Sequence, residues 1–293
     1  MQQRTLWLVA AAIVGLGGGA AAQERVGSVR LAELLARVGA RVERYFERAQ
    51  AIVCDERVYV RPMGYDSNTS GPVRVLGYEL RVAWEAATPE APIPEASVLR
   101  RILTINGRAV GPDEEPGCLD PASISPEPLS VLLSHRRLEF VFTLGGRARE
   151  NDRDVETLQY RPRRPAEDVI TWKEDCVNLD LPGRTLGRIW ADAQTGDVLR
   201  LDERVNGLFE FDVPDEQRRG FGRREMVLES YNSSIRYRPV TFTEPDETLL
   251  LPVSIDTMSV WRGAGSRRVI TTQEFSGCRR FITDARLLEP GSR

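Results

Sequence analysis

The chain of 293 residues contains one histidine, one lysine and no C-x-x-C pair, and each scarcity removes a class of chemistry. His135 cannot supply a zinc triad or an H-E-x-x-H helix by itself. A Ser-His-Asp or Cys-His relay would have to pass through it, yet its neighbour Ser134 would face the opposite side of a strand. Its other neighbours, Arg136 and Arg137, suit a solvated surface. There is no P-loop, dinucleotide fingerprint or EF-hand pattern, so neither metal nor cofactor is expected. No apolar run reaches the ~20 residues that a membrane-spanning helix needs. The 40 basic and 43 acidic residues leave a net charge of −3, which provides no overall field for nucleic acid. Lys173 is the single lysine, and a basic complement otherwise made of arginine reflects a GC-rich genome better than it does many separate phosphate contacts.

The N-terminus carries the pattern of a secretory signal peptide. Arg4 is its positive charge, Leu6 to Leu16 a short apolar stretch, and Ala20-Ala21-Ala22 a small-residue cleavage site before Gln23. Residues 1–22 are therefore expected to be removed, leaving one β-rich domain over residues 23–290 with no transmembrane span. The expected location is outside the cytoplasm, in a bacterial periplasm or extracellular. No cysteine lies near the cleavage site to take a lipid anchor. Export makes disulfides credible for Cys54, Cys118, Cys176 and Cys278. Cys118 and Cys176 both sit in loop-like sequence, which favours pairing them and leaves Cys54 to Cys278.

One helix is expected, over about residues 28–50. Leu31, Leu34, Leu35, Val38, Val42, Tyr45, Phe46 and Ala49 recur at three- and four-residue steps, with Ser28 as the expected N-cap. Arg37, Arg41, Arg44 and Arg48 line another face, but Glu33, Glu43 and Glu47 dilute it, so the helix reads as packed on a sheet rather than lying on a bilayer.

The remainder reads as antiparallel strands. Ile52–Val60 and Val73–Trp84 are rich in β-branched and aromatic residues, and Asn106-Gly107 joins two strands in a hairpin. A proline-rich loop over 111–128 holds Cys118. Leu138–Leu144 and Val155–Tyr160 follow, separated by Gly145-Gly146 and a polar turn. Leu186–Asp192 turns through Gln194-Thr195-Gly196 into a strand where Leu199, Leu201 and Val205 alternate with Arg200, Asp202 and Arg204. Asn206-Gly207 makes another tight turn into Leu208–Phe211. Strands over Met226–Tyr237, Pro252–Trp261 and Val269–Phe281 complete the chain, with Gly263-Ala264-Gly265 as a turn and a charged loop over 214–224. The expected fold is mainly β (α+β): a single curved antiparallel sheet or half-barrel, with the amphipathic N-terminal helix on its concave face.

Acidic clusters at Asp113-Glu114-Glu115 and Asp246-Glu247 leave open a hydrolase built on two carboxylates. Asn68-Thr69-Ser70 and Asn232-Ser233-Ser234 match the glycosylation sequon, a pattern short enough to arise by chance.

The segment from Gly187-Arg188-Ile189-Trp190-Ala191-Asp192 through Thr195-Gly196 to Arg200-Leu201 carries a family resemblance, as do Leu251-Pro252-Val253-Ser254-Ile255 and Phe275-Ser276-Gly277-Cys278. In these motifs, and in its helix-then-strands order, the chain resembles the LolA-, LolB- and LppX-like periplasmic lipoprotein-carrier superfamily. It is more similar still to uncharacterised exported bacterial proteins with the same hairpin. The resemblance implies a half-barrel that holds an acyl chain or other apolar ligand between sheet and helix. Trp84, Phe140, Phe142, Trp190, Leu199 and Leu201 are the candidates for such a cavity, with ordinary core packing as the competing role of each. A non-enzymatic envelope carrier is the first expectation. An interaction module offering a sheet edge or arginine-rich face to another envelope protein is the second, and the carboxylate hydrolase the third.

Overall fold

The computed structural model describes residues 18–48, 52–64, 68–84, 96–111, 127–173, 176–218, 224–243, 246–262 and 267–280. The first element is helix α1 (Gly18–Arg48), with Leu34, Val38, Val42 and Phe46 buried along one stripe. That burial assigns the apolar face to protein packing. Ser28 lies inside α1 rather than capping it, because helical backbone continues ten residues towards the N-terminus. Of the expected signal peptide, residues 1–17 lie outside the described residues, as do Ala49, Cys118 and Gly263-Ala264-Gly265.

Fourteen strands follow among the described residues. Four form the first arm: β1 (Ile52–Met63), β2 (Arg74–Trp84), β3 (Ala96–Ile105) and β4 (Arg108–Ala109). Next come β5 (Phe140–Glu150), β6 (Arg153–Pro162), β7 (Val169–Lys173), β8 (Cys176–Asp180), β9 (Thr185–Asp192) and β10 (Val198–Val205). The last are β11 (Phe209–Asp212), β12 (Glu225–Thr243), β13 (Asp246–Arg262) and β14 (Arg267–Arg280). Twelve make one open antiparallel sheet in the order β4-β3-β2-β1-β14-β13-β12-β10-β9-β6-β5, with β11 attached to β12. The architecture is mainly β, a sheet curved about the long helix α1, and among the described residues it does not close into a barrel.

Local chemistry explains most of the hairpins and two departures from expectation. Asn106 and Gly107 sit at φ 49° and 80°, the left-handed backbone that a two-residue hairpin turn requires. The β5–β6 turn is made by Asn151 and Asp152, at φ 49° and 62°, and not by Gly145-Gly146. Those glycines lie within β5, where the register shifts between Leu144 and Gly146. A Cβ on Gly145 would come within 2.5 Å of Thr157 Oγ1, so the pair is needed for a bulge. After Asn206-Gly207 the chain does not fold back on β10; β11 pairs with β12 instead.

Cys54 and Cys278 form a disulfide across neighbouring strands, with Cα atoms 4.1 Å apart. It ties β1 to β14, the first and last strands of the sheet. Cys176 is also disulfide-bonded, but it occupies strand β8 rather than a loop. The β7–β8 hairpin forms a small second sheet, and Ile170, Trp172, Val177 and Leu179 pack on a cluster around Phe209, Phe211 and Met226.

Candidate functional site

Strand pairing sorts the side chains onto two faces. Leu158, Ile189, Leu201, Ile235 and Ile255 stand opposite one another across β6, β9, β10, β12 and β13, each at most 2% exposed. They belong to the core that α1 covers with Leu34, Val38 and Val42. Each buried side chain of this size stabilises the fold by ~1.5–3 kcal/mol relative to exposure. One residue along each strand, Gln159, Arg188, Asp202, Ser234 and Asp256 form the matching row on the other face, continued by Thr272 on β14. A pleated backbone alternates its side chains, so this polar row faces away from α1.

That outer face holds a trough of about 750 Å³ whose lining runs from Val141 and Thr143 on β5 to Ile270 on β14. A twisted sheet is saddle-shaped, so bending about a helix in one direction leaves the far face hollow in the other. The floor mixes apolar Leu186, Trp190, Met258 and Ile270 with Arg161, Arg188, Arg200 and Arg204. Gly187 lets the sheet close tightly beneath it: a Cβ there would lie 2.0 Å from the Tyr160 ring, which occupies the space on the α1 side.

Two of the three acids that line the trough, Asp202 and Asp256, are held by cations. Arg200 Nε and Nη2 donate to the two Asp202 oxygens, both at 2.7 Å, and its guanidinium lies 4.6 Å from the centre of the Trp190 ring. The hydrogen bond to Asp202 is the largest influence raising the Arg200 pKa. Asp256 accepts from Arg236 Nη1 at 2.7 Å and from Thr272 Oγ1 at 2.9 Å. Of the acidic clusters in the sequence, Asp113-Glu114-Glu115 lies outside the described residues, and Glu247 at the start of β13 is paired with Arg280. His135 is exposed, in the turn before β5, and no group of acids, histidines and cysteines among the described residues could hold a metal.

A different carboxylate sits on the α1 side. Tyr160 Oη donates to Glu203 Oε1 at 2.5 Å. Burial pushes the Glu203 carboxyl above its ordinary value, against the lowering influence of that hydrogen bond. Burial also raises Tyr160 and Tyr237, and moves Tyr231 up to about 12. This acid among tyrosines was not legible in the sequence, where Glu203 reads as one more charge on an alternating strand.

The five sequence candidates whose side chains are described are divided between the buried interior and the outer trough. Phe142 and Leu201 lie in the packed core, with Phe140 partly buried against it. Phe140, Phe142 and Tyr160 form an aromatic cluster with ring centres 5.7–6.3 Å apart. Leu199 is 3% exposed and occupies a register shift in β10, between Val198 and Arg200. Trp190 faces the outer trough because it pairs with Arg200 while its neighbour Ile189 pairs with Leu201. Trp84 ends β2, and its side chain lies outside the described residues. Arg161, Arg188 and Arg204 were missed as a group because they come from three strands; only the pairing of β6, β9 and β10 brings them together.

The fold and site define an open, helix-backed antiparallel sheet with a trough on its far face. Among solved structures, the chain is similar to a DUF1329 family protein from Desulfovibrio piger, at 9% identity and a TM-score of 0.41, covering 86% of this chain and 94% of that one. It is similar to an outer membrane lipoprotein-sorting protein domain from Vibrio parahaemolyticus, at 10% identity and a TM-score of 0.41, covering 87% and 94% of the two chains. It is also similar to a LolA superfamily protein from Nitrosomonas europaea, at 7% identity and a TM-score of 0.38, covering 87% and 95%. No family model and no curated protein matches the sequence.

Proposed function

We propose that the protein is a non-enzymatic binding or carrier protein of the bacterial cell envelope, exported by the signal peptide over residues 1–22, whose 23–290 domain takes a lipid or other apolar-chained ligand. The observation that carries this reading is the outer trough of about 750 Å³, within the size range of small-ligand sites, where Leu186, Trp190, Met258 and Ile270 are only partly buried. The core on the α1 side is built of side chains no more than 9% exposed, which supports placing the ligand on the far face.

The test is saturable binding of a fluorescent fatty-acyl probe to the purified protein. Met258→Asp puts a charge on the trough floor and is expected to weaken binding by roughly tenfold or more, as burying an unpaired charge against an acyl chain costs over ~1.4 kcal/mol. Leu138→Asp, at an exposed site outside the trough, is expected to leave binding unchanged. Absence of saturable binding, or equal loss in both variants, overturns the reading.

A further inference from the structure

Three trough arginines have no carboxylate partner among the described residues: Arg161 on β6, Arg188 on β9 and Arg204 on β10. All three are exposed. The register clusters them. Arg204 stands directly opposite Leu186, and Arg188 opposite both Gln159 and Asp202. Continuing the β6–β9 pairing one step beyond Tyr160 and Gly187 sets Arg161 on the other side of Leu186. Arg161 and Arg204 thus flank Leu186 from the two adjacent strands, ~10 Å apart at the backbone, with Arg188 two residues along the strand between them. Arginine side chains are long enough to converge across that distance on one group.

Every other cation of the trough region is engaged by an acid. Arg200 is held by Asp202, and Arg236, just beyond the lining, by Asp256. Asp202 is the nearest acid on this face and is already bound in a two-pronged fashion by Arg200. Three like charges gathered around an apolar side chain repel one another, and a bound anion relieves that repulsion. Guanidinium groups suit a phosphate or carboxylate, to which each can give two parallel hydrogen bonds.

The same row then turns apolar. From Arg204 it passes to Asn232 on β12, Met258 on β13 and Ile270 on β14. Three strand spacings cover ~14 Å, a length suited to an extended hydrocarbon segment. We infer that the ligand of the proposed trough is a lipid with an anionic headgroup, its phosphate held by Arg161, Arg188 and Arg204 and its chain laid towards Met258 and Ile270. This inference rests on the lipid-binding reading and adds the charge and placement of the headgroup.

Two probes of equal acyl length separate the ideas: lysophosphatidic acid, whose phosphate is terminal, and zwitterionic lysophosphatidylcholine. Both are used below their micelle concentrations, with inorganic phosphate as a third arm. The lysophosphatidic acid is expected to bind the full chain roughly tenfold more tightly or better, as befits added charge-assisted hydrogen bonds. The double variant Arg161→Gln/Arg204→Gln is expected to erase that preference while leaving lysophosphatidylcholine binding and Tm unchanged. Met258→Asp is expected to weaken both lipids together. Equal binding of the two lipids overturns the anionic-headgroup inference and leaves lipid binding standing. Inorganic phosphate binding as tightly as lysophosphatidic acid overturns the lipid source. If neither lipid binds, both readings fall.

Discussion

At the scale of single residues, the molecule treats its buried acids in opposite ways. Glu56, 1% exposed at its side chain, receives both prongs of Arg100 at 2.8 Å, and that guanidinium lies 4.1 Å from the centre of the Tyr78 ring. Among the described residues Glu203 is hydrogen-bonded to the Tyr160 hydroxyl alone, at 2.5 Å, and burial raises its pKa. An acid held above its unfolded value binds its proton more tightly in the native chain. Its contribution to stability is therefore full below the ordinary glutamate pKa of ~4.3 and declines as pH rises through the folded value. Glu203→Gln keeps an acceptor for Tyr160 and removes the charge. The variant is expected to melt higher than the parent at about pH 8, with the gap closing towards about pH 4, where both side chains are neutral. A Tm difference that does not change with pH would show that Glu203 is not the titrating group. Neither acid was legible in the sequence. A separation of 44 residues conceals the pairing of Glu56 with Arg100, and although alternation puts Glu203 on the face of Leu201 and Val205, its partner Tyr160 is 43 residues away.

At the scale of elements, the turn between β9 and β10 shows why its sequence stands out. Asp192, 5% exposed, accepts the backbone N–H groups of Gln194 at 2.9 Å and Thr195 at 2.7 Å, while Arg153 Nε lies 2.8 Å from its other oxygen. Burial pushes the Asp192 carboxyl up, but these hydrogen bonds and Arg153 outweigh it and hold the pKa below its ordinary value. Its contribution is therefore present above the unfolded value of ~3.9 and is lost as pH falls through the folded one. The turn also seats the helix: Arg41 Nε donates to Thr195 O at 2.9 Å, and a Cβ on Gly196 would come within 2.9 Å of Arg37. Asp192→Ala is expected to destabilise the protein by ~2–4 kcal/mol at neutral pH, chiefly the cost of orphaning two N–H groups. The urea midpoint should fall accordingly, with a smaller loss under acid conditions, and amide exchange in α1 around Arg41 should quicken. An unchanged midpoint would remove Asp192 from this role. The hairpin and the helix were each readable, because turn chemistry and a 3.6-residue period are local signals. Their contact was not, since Arg41 and Thr195 are 154 residues apart. The β7–β8 hairpin left a weak signal because its two five-residue strands are too short to display alternation.

At the scale of the whole molecule, most neighbours in the sheet are neighbours in the chain, and the pairing of β1 with β14 is the major exception. It joins two arms that otherwise grow outward, one through β2 to β4 and the other back through β13 to β5. Alternation predicted such strands one by one, but a period of two does not say which strand lies beside which, so the seam could not be read from residues alone. The Cys54–Cys278 bond lies across that seam and spans 224 residues of sequence. Closing so long a loop restricts the unfolded chain severely, and the chain-entropy estimate for it is ~5 kcal/mol, near the top of the usual range. The seam also has noncovalent support: β1 and β14 pair over eleven residue positions, and Val58 and Gln273, opposite one another, are both almost fully buried. Cys54→Ser/Cys278→Ser should therefore still fold in an oxidising medium, with a stability loss of ~2–5 kcal/mol read as a lower urea midpoint. If the loss comes from the unfolded state, native amide protection in β12 and β13 should change only in proportion to the global loss. Protection in β1 and β14 should drop further, because their seam then opens without the arms coming apart. A variant as stable as the parent, or one whose protection falls evenly through the sheet, would mean that the hydrogen-bonded ladder alone holds the two arms together.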